Sequence, residues 1–391
     1  MRKHILIGLS LIAAVSSVFG ADVSPGSVPY TLCGEVFGPT SARVTGMGGA
    51  GLGMTGYSDA FLYNPAALGE SHFRLSVPTF SVTVFNPRKI NDTDFFDDVK
   101  DADWVNAADD LMSTLTYGMN ELERVDLGIN GQFGHVGVAL NTRERMLANL
   151  NTSSYVDGEY ILEDTTALTV GFGYRFPLFS DQFSLDIGAN AQFLYQLYTQ
   201  AIDKTTIDAF IDDQSDPTFP LVAGWALPFA AGANLNLPLG FRASGVVRNL
   251  NGKFRYQLFS EAKDFDFGES LKGEDLSYDA GVRFDAGVMW SSPFPMLNKL
   301  FHPTLSIDVL DVARISDKED LLGNLYAGAQ VTLFNFLDVR CGLAQGYQSV
   351  GIGLDVLVFH IDASYWRREY GENYLDKSID ALTLRFQLLT R

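Results

Sequence analysis

The segment from Tyr278 to Trp290 switches between apolar and polar or small residues at every position, and this alternation constrains the fold more than any other feature of the sequence. A period of two places the apolar residues on one face of a β-strand and the charged residues on the other. The apolar face ends in the ring of Trp290, whereas the opposite face carries Asp279, Arg283 and Asp285. Repetition of this pattern is typical of a β-barrel whose outside contacts lipid and whose inside contacts water.

Similar segments recur along the chain and predict about 14 strands, an even number as in single-chain bacterial barrels. We therefore expect an all-β, transmembrane antiparallel β-barrel over residues 71–391, with a secreted soluble all-β domain as the alternative. The predicted strands are residues 73–85, 122–133, 136–146, 166–176, 183–198, 225–237, 240–250, 277–290, 303–311, 324–334, 337–344, 349–357, 359–367 and 379–388.

The connections between these strands alternate in length. Short turns such as Gly134-His135, Pro238-Leu239 and Asn335-Phe336 interleave with long loops such as residues 86–121 and 147–165. The exceptions are the longer connection at residues 291–302 and the short one at residues 345–348. Short periplasmic turns and long extracellular loops are what an outer-membrane barrel has, so the alternation favours the barrel over a soluble domain.

The N-terminus indicates export. Arg2 and Lys3 precede an apolar run, and small residues precede Ala21, which predicts a cleaved signal peptide over residues 1–20 rather than a membrane anchor. The net charge of −19 argues against nucleic-acid binding, because phosphates would be repelled. The expected location is the outer membrane, with lipid, lipopolysaccharide and the barrel assembly machinery as partners. The last strand departs from the usual terminal aromatic residue, since Phe386 is followed by residues 387–391.

With the apolar residues outward, many charged residues share the inward parity. A charge facing lipid near the midplane would cost about 2–4 kcal/mol, so this clustering predicts a hydrated lumen. Most of these side chains are expected to form cross-strand ion pairs, and a minority to contact a solute. The inward set is Asp126, Arg175, Asp186, Arg242, Arg283, Asp285, Asp308, Arg340, Asp355, Asp362 and Arg385, of which Arg175, Arg242, Arg283, Asp285, Arg340 and Arg385 are the candidate lumen site.

Residues 38–68 carry a motif composed of Arg43, the run Gly46–Ala50, the pair Asp59-Ala60 and the triplet Asn64–Ala66. The motif resembles the N-terminal signature of the FadL-like outer-membrane transport family. This resemblance implies a 14-stranded barrel with residues 21–70 folded inside as a plug, and uptake of hydrophobic molecules such as long-chain fatty acids. Relatives of the PorV and TraF-like types share the signature without implying such transport. The candidate plug and gate residues are Arg43, Gly48, Gly49, Asn64, Pro65 and Ala66.

The resemblance also implies a kinked third strand that opens the barrel wall toward lipid. The alternation of residues 136–146 falters at Asn141–Arg145, which fits either such a kink or a strand that runs on into a loop.

The first long loop contains the strongest helical pattern in the chain. Apolar residues recur at helical spacing from Trp104 through Leu111 and Leu115 to Leu122. The helix is expected to close the barrel mouth, or to offer Trp104, Leu111 and Leu115 as an extracellular apolar site for a ligand. Aspartates of the same loop form a solvated acidic face, or bind divalent cations weakly and so bridge lipopolysaccharide.

No constellation of catalytic residues is evident, and we expect no enzymatic activity, cofactor or dedicated metal site. His72, His135, His302 and His360 all fall at the predicted periplasmic rim, away from extracellular substrates. The Gly46-x-Gly48-x-x-Gly51 spacing matches a dinucleotide-binding motif, but no strand precedes it. The hypotheses are therefore a transporter of hydrophobic small molecules, a barrel that serves secretion, attachment or scaffolding without transport, and a general porin.

Overall fold

The structure is a computed structural model that describes residues 41–152, 154–180, 183–199, 202–211, 219–371 and 374–390. The predicted signal peptide, the first half of the predicted plug and Cys33 lie outside these residues. Residues 41–70 of the predicted plug and most of the predicted barrel lie within them.

The described strands form one closed antiparallel sheet, the 14-strand β-barrel that the sequence predicted. The first and last strands close it, since Phe80 pairs with Phe386 and Phe85 with Ala381. The strands are β1 (His72–Phe85), β2 (Gly118–Gly134), β3 (Val136–Leu150), β4 (Glu159–Ser180), β5 (Phe183–Thr199), β6 (Leu221–Ala226 and Phe229–Asn236), β7 (Phe241–Leu250 and Lys253–Phe259), β8 (Leu276–Asp279 and Arg283–Ser291), β9 (Phe301–Val309), β10 (Leu325–Leu333), β11 (Leu337–Ala344), β12 (Tyr347–Val356), β13 (Phe359–Glu369) and β14 (Ser378–Thr390).

The two faces of the sheet differ as the alternation requires. On β2, Leu127 and Ile129 are exposed on the outside, whereas Asp126 before them and Asn130 after them are buried. Paired residues of neighbouring strands keep the same sides, so that buried Ser81 lies opposite Asp126. The outer face therefore presents apolar side chains and the inner face polar ones, which is the arrangement of a transmembrane barrel.

Three neighbouring strands are interrupted at the same height, at residues 227–228, 251–252 and 280–282. At the third break Gly281 adopts a φ of +68°, and the faces exchange there. Tyr278 consequently packs inward against buried Phe254, whereas Phe284 is exposed on the outside. The expectation of one uninterrupted face from Tyr278 to Trp290 was therefore wrong, because left-handed backbone at a glycine reverses the parity.

The third strand is regular. It pairs continuously with β4 from Val136 to Asn149, and Asn141 and Arg143 keep the inward parity within residues 141–145. Of the two interpretations of residues 141–145, the structure has the extended strand, and the wall is interrupted at β6–β8 instead.

The N-terminal segment lies inside the barrel. It contains the helices α1 (Ala42–Gly46) and α2 (Ala60–Tyr63) and a 3-10 turn (Pro65–Gly69) that leads into β1. Asp59 occupies the N-cap position of α2 without a side-chain capping bond, whereas the Asn64 side chain caps the 3-10 turn. This segment, residues 41–70, is the described part of the predicted plug and is called the plug where its contacts are given.

The long loops carry short helices on the rim opposite the short turns. None of the helices in the described ranges is long and apolar enough to cross a membrane. Further 3-10 turns are Tyr155–Asp157, Pro238–Gly240, Ala262–Asp264 and Val312–Arg314. The helices are α3 (Pro87–Ile90), α4 (Phe95–Asp101), α5 (Trp104–Ser113), α6 (Lys204–Ile211), α7 (Phe267–Ser270), α8 (Pro295–Asn298, on the short-turn rim) and α9 (Lys318–Gly323).

Helix α5 is shorter than its apolar spacing suggested, because β2 begins at Gly118 and takes up Leu122. Met112, at the end of α5, packs with Met146 and Leu162. These two strand residues pair with each other on the face that carries the exposed Leu140 and Leu168. The helix therefore covers the outer wall of β3–β5, beyond the lipid-facing band. The expectation that it closes the barrel mouth was wrong.

Candidate functional site

The plug rests on lumen glycines of β4, β5 and β6. A Cβ atom at Gly188 would lie 2.1 Å from the carbonyl oxygen of Pro65, and one at Gly232 would lie 2.1 Å from Oδ1 of Asn64. At Gly173 the nearest atom would be Cβ of Leu68, at 2.7 Å. Only glycine leaves room for the plug at such distances, so these wall positions form a seat for the part of the plug around Asn64 to Leu68.

A second seat lies on β10 and β11. The lumen positions Gly328 and Gly342 approach Met47 and Gly48, and an added Cβ atom at either glycine would lie 2.3 Å from the plug backbone. Gly48 and Gly49 have φ values of +66° and +85°. Both predicted plug glycines are thus required by positive φ and by close approach to the wall.

Asn64 is the polar centre of the plug and is fully buried. Its Nδ2 donates to the carbonyl oxygen of Leu52 at 2.9 Å and to Oδ1 of Asn234 on β6 at 2.8 Å. Its Oδ1 accepts from the amide of Ala66 at 2.9 Å. Pro65 starts the 3-10 turn and Ala66 is buried against the wall. The predicted triplet therefore lies together, joining two parts of the plug to the barrel.

Arg43, in helix α1, joins the N-terminal part of the described plug to β11. Its Nη2 lies 3.0 Å from Oδ2 of Asp338, and Nη1 donates to Oε1 of Gln330 at 3.3 Å. The guanidinium also lies over the ring of Tyr57, 3.8 Å from its centroid. A charge buried this deeply is stable only with such partners.

Carboxylates complete the attachment of the plug. Asp59 accepts from Arg385, and Glu70 pairs with Arg175 at 2.9 Å and Arg242 at 2.6 Å. Conversely, Oδ2 of the wall residue Asp308 accepts from the plug amides of Gly51 at 2.7 Å and Leu52 at 2.9 Å. Several predicted lumen charges therefore hold the plug, beyond the cross-strand pairing expected of them.

Other predicted lumen residues do pair across the wall. Asp285 lies between Arg248, at 2.6 Å, and Arg283, at 3.1 Å, and the two arginines are direct cross-strand neighbours. Asp126 pairs with Arg143 at 2.7 Å. These carboxylates neutralise guanidiniums that would otherwise repel each other in a buried setting.

His360 was not among the predicted site residues, and the structure places it in the lumen near the short-turn rim. Its Nδ1 lies 2.7 Å from Oδ1 of Asp355 and its Nε2 2.7 Å from Oδ2 of Asp362. Ligand atoms of Asp338, His360 and Asp362 lie within 4.8 Å of one another, as a metal site would need. Arg340 pairs with both aspartates, and Arg43 reaches Asp338 as well, so the chain itself supplies the positive charge there.

A cavity of about 670 Å³ opens between the plug and the long-loop rim. The plug forms its floor through residues that include Val44, Gly49, Leu52 and Tyr63. The walls combine apolar and charged groups, so the cavity suits a small molecule with both kinds of surface. The wall residues include Leu310, Tyr326, Trp366, Arg124, Arg143, Arg248, Arg283, Arg367 and Arg368, with Asp311, Asp317 and Glu369 among the carboxylates.

The predicted extracellular apolar site is not formed as expected. Leu115 is only 7% exposed, and Leu111 packs against the same cluster on the outer wall. Trp104, at the start of α5, is half-buried. These three residues do not line the cavity.

The ion pairs of Glu70 predict that the plug attachment weakens in acid. Burial of Glu70 opposes its ionisation, but the guanidiniums of Arg242 and Arg175 outweigh this and lower its pKa from 4.5 to about 2. A lowered pKa stabilises the folded state fully above pH 4.5, and this contribution is lost as the pH falls toward 2. In planar bilayers we expect wild-type conductance to rise within that window, and Glu70→Gln to conduct already at pH 7. Equal wild-type and Glu70→Gln conductance at all pH values would contradict this attachment.

Comparisons with known proteins found no matching family model and no matching curated protein. Among solved structures, the chain is similar to the Pseudomonas putida toluene transporter TodX, with 10% identity, coverage of 90% of this chain and 97% of that chain, and a TM-score of 0.43. The Ralstonia pickettii toluene transporter TbuX shares 11% identity over 90% and 98% of the chains, with a TM-score of 0.44. A Pseudomonas aeruginosa FadL homologue shares 13% identity over 90% and 98%, with a TM-score of 0.41.

Proposed function

We propose that the protein transports hydrophobic small molecules of the long-chain fatty acid type across the outer membrane, through a barrel closed by its own plug. The observation that carries this proposal is the cavity of about 670 Å³ whose floor is the plug. A molecule that enters from the long-loop rim reaches the plug directly, so displacement of the plug would open the way through the lumen.

The chemistry of the cavity supports an amphipathic ligand. Tyr326, Trp366 and Leu310 offer apolar surface, and Arg248 and Arg283 also line the cavity. An alkyl chain gains free energy when it leaves water for such apolar surface. A carboxylate head group at the arginines would be held by charge-assisted hydrogen bonds.

The plug segment around Asn64 and Pro65 is the proposed gate. It fills the lumen beside β5 and β6, where Gly188 leaves room for the Pro65 carbonyl and Gly232 for the Asn64 side chain. Transport would therefore require the hydrogen bonds from Asn64 to Leu52 and Asn234 to break. Each such bond contributes about 0.5–1.5 kcal/mol, which thermal fluctuation and ligand binding can overcome.

The proposed orientation in the outer membrane follows from the apolar outer face and the polar inner face of the barrel. We assign residues 1–20 to a signal peptide, 21–70 to the plug and 71–391 to the barrel, with the short turns in the periplasm. Lipid and lipopolysaccharide would contact the apolar outer face, and the barrel assembly machinery would insert it.

Uptake of radiolabelled oleate by cells with and without the gene tests the transport proposal. We expect faster uptake in cells that carry the gene, at matched amounts of folded protein in the outer membrane. A matched variant, Arg283→Gln, should reduce uptake if the cavity arginines bind the carboxylate. Equal uptake with and without the gene would contradict transport of this cargo.

A non-transporting barrel for secretion, attachment or scaffolding is the second candidate. The observation that favours it is the number of contacts that fix the plug, which include Arg43 to Asp338, Asp59 to Arg385 and Glu70 to Arg242. Such a protein would leave uptake unchanged and would co-purify with a partner from membranes. A general porin, in turn, would conduct ions with its plug in place.

A further inference from the structure

The short-turn rim carries large apolar side chains at the tips of four successive turns, those that join β6 to β7, β8 to β9, β10 to β11 and β12 to β13. Met296 is 89% exposed, Leu357 86%, Leu239 67% and Phe334 59%. Exposed apolar groups at successive positions form a surface that is unfavourable in water, so they indicate a contact with something apolar.

Three of these apolar residues also have a left-handed backbone conformation, which bulky residues rarely adopt. Leu239, Phe334 and Leu357 have φ values of +63°, +52° and +57°. Glycine and asparagine adopt this left-handed conformation at lower cost, and several loop positions such as Asn249 and Asn251 follow that rule. Bulky apolar residues at three strained turn positions indicate that the side chains themselves are needed there.

The wall above the turn that joins β10 to β11 is short. β11 has 8 residues, whereas β3 on the other side of the barrel has 15. At about 3.4 Å per residue and a tilt of about 40°, 8 residues span about 21 Å of membrane, less than the apolar band of about 25 Å. The strand alone therefore leaves part of the hydrocarbon layer without a matching protein surface.

The missing part of the band cannot lie at the other end of these strands. There β11 and β12 are joined by Gln345-Gly346, a polar turn. At the short-turn end, by contrast, exposed Phe336 and Val358 continue the apolar outer face of Val339 and Val356 beyond the strands. The lipid-facing surface thus runs on without a break into the apolar turns.

We propose that the turns between β6 and β13 on the short-turn rim are embedded in lipid, with Leu239, Met296, Phe334 and Leu357 in the acyl region of the periplasmic leaflet. Membrane lipid is the partner that fits, because the turn surface is continuous with the lipid-facing band. Three of the four turns contain no charged residue, and Lys299 in the fourth can extend its amine to the head groups. The inference goes beyond transport and does not depend on it.

Fluorescent labelling tests this placement. Leu357→Cys and Met296→Cys, each with Cys33→Ser and Cys341→Ser, are labelled with an environment-sensitive fluorophore and reconstituted in vesicles of phosphatidylcholine and phosphatidylglycerol. Ser71→Cys is the matched control, because Ser71 is exposed on the same rim beside polar His72. We expect blue-shifted emission, quenching by nitroxide lipid and loss of iodide quenching at positions 357 and 296, and the reverse at position 71.

Only folded, heat-modifiable protein is compared, so a misfolded variant does not enter the result. Phe334→Cys provides a further position on the same surface. Iodide quenching at 357, 296 and 334 as strong as at 71 would overturn the proposal, because the turns would then lie in water and would fit a periplasmic protein instead. Either result leaves the oleate uptake experiment unaffected.

Discussion

Gly188→Val is expected to unseat the plug while leaving the barrel closed. The first atom of the new side chain would lie 2.1 Å from the carbonyl oxygen of Pro65, and neither backbone can yield without moving the plug. Overpacking of this kind costs about 1–3 kcal/mol, which corresponds to a roughly fivefold to 150-fold larger population of displaced plug. Cleavage by trypsin after Arg43, which is buried in the seated plug, measures that population.

Gly245→Val is the matched control for this experiment. An added Cβ atom at Gly245 would have its nearest neighbour at 4.0 Å, so the same substitution on β7 has room. We expect Gly245→Val to resist cleavage at Arg43 as wild type does. Equal cleavage of the two variants would show that Gly188 does not seat the plug.

Asp285→Ala is expected to cause the largest loss of barrel stability. Its carboxylate is buried between Arg248 and Arg283, which face each other across β7 and β8. Removal of one partner from a buried ion pair costs about 3–5 kcal/mol, and here two guanidiniums would be left side by side. The midpoint of urea unfolding in vesicles, followed by tryptophan fluorescence, measures the loss.

Glu319→Ala provides the control for Asp285→Ala, because it removes the same formal charge from an exposed helix position. Exposed substitutions of this kind change stability by less than about 0.5 kcal/mol. A second variant that also replaces Arg248 and Arg283 by leucine should recover part of the loss. If Asp285→Ala unfolds at the same urea concentration as wild type, the ion pairs do not stabilise the wall.

The barrel was predictable because its two faces contact different solvents. Lipid outside and water inside impose opposite chemistry on alternate residues, so parity at positions such as Asp126 and Leu127 could be read from sequence. The breaks at residues 227–228, 251–252 and 280–282 were not predictable in this way. The alternation around Gly281 continues unchanged through the break, and only the left-handed backbone of Gly281 reverses the faces.

The site was predictable in part, for a similar reason. Asn64 and the plug glycines were found through a local motif, and their surroundings require those residue types. Glu70, Asp59 and Asp338 were not selected as residues that hold the plug, because the arginines they meet lie far away in the sequence. Arg385, for example, meets Asp59 only because β14 closes the barrel on β1.

The helix of the first long loop shows where a periodic pattern misleads. Apolar spacing predicted a helix extending to Leu122, but Leu122 belongs to β2 and packs with Leu115 in the same cluster. Apolar residues at helical spacing indicate burial, and the covering of the outer wall by α5 satisfies that burial. Sequence periodicity carries no information about which face of the barrel wall a loop will cover.

Ion conductance in planar bilayers tests the central claim most directly, which is that the chain is a membrane barrel closed by its own N-terminal segment. The mature protein should insert and stay nearly silent at neutral pH, whereas a variant that lacks residues 21–70 should give large, stable openings. Equal conductance of the two proteins, or failure of both to insert as folded monomers, would contradict the account.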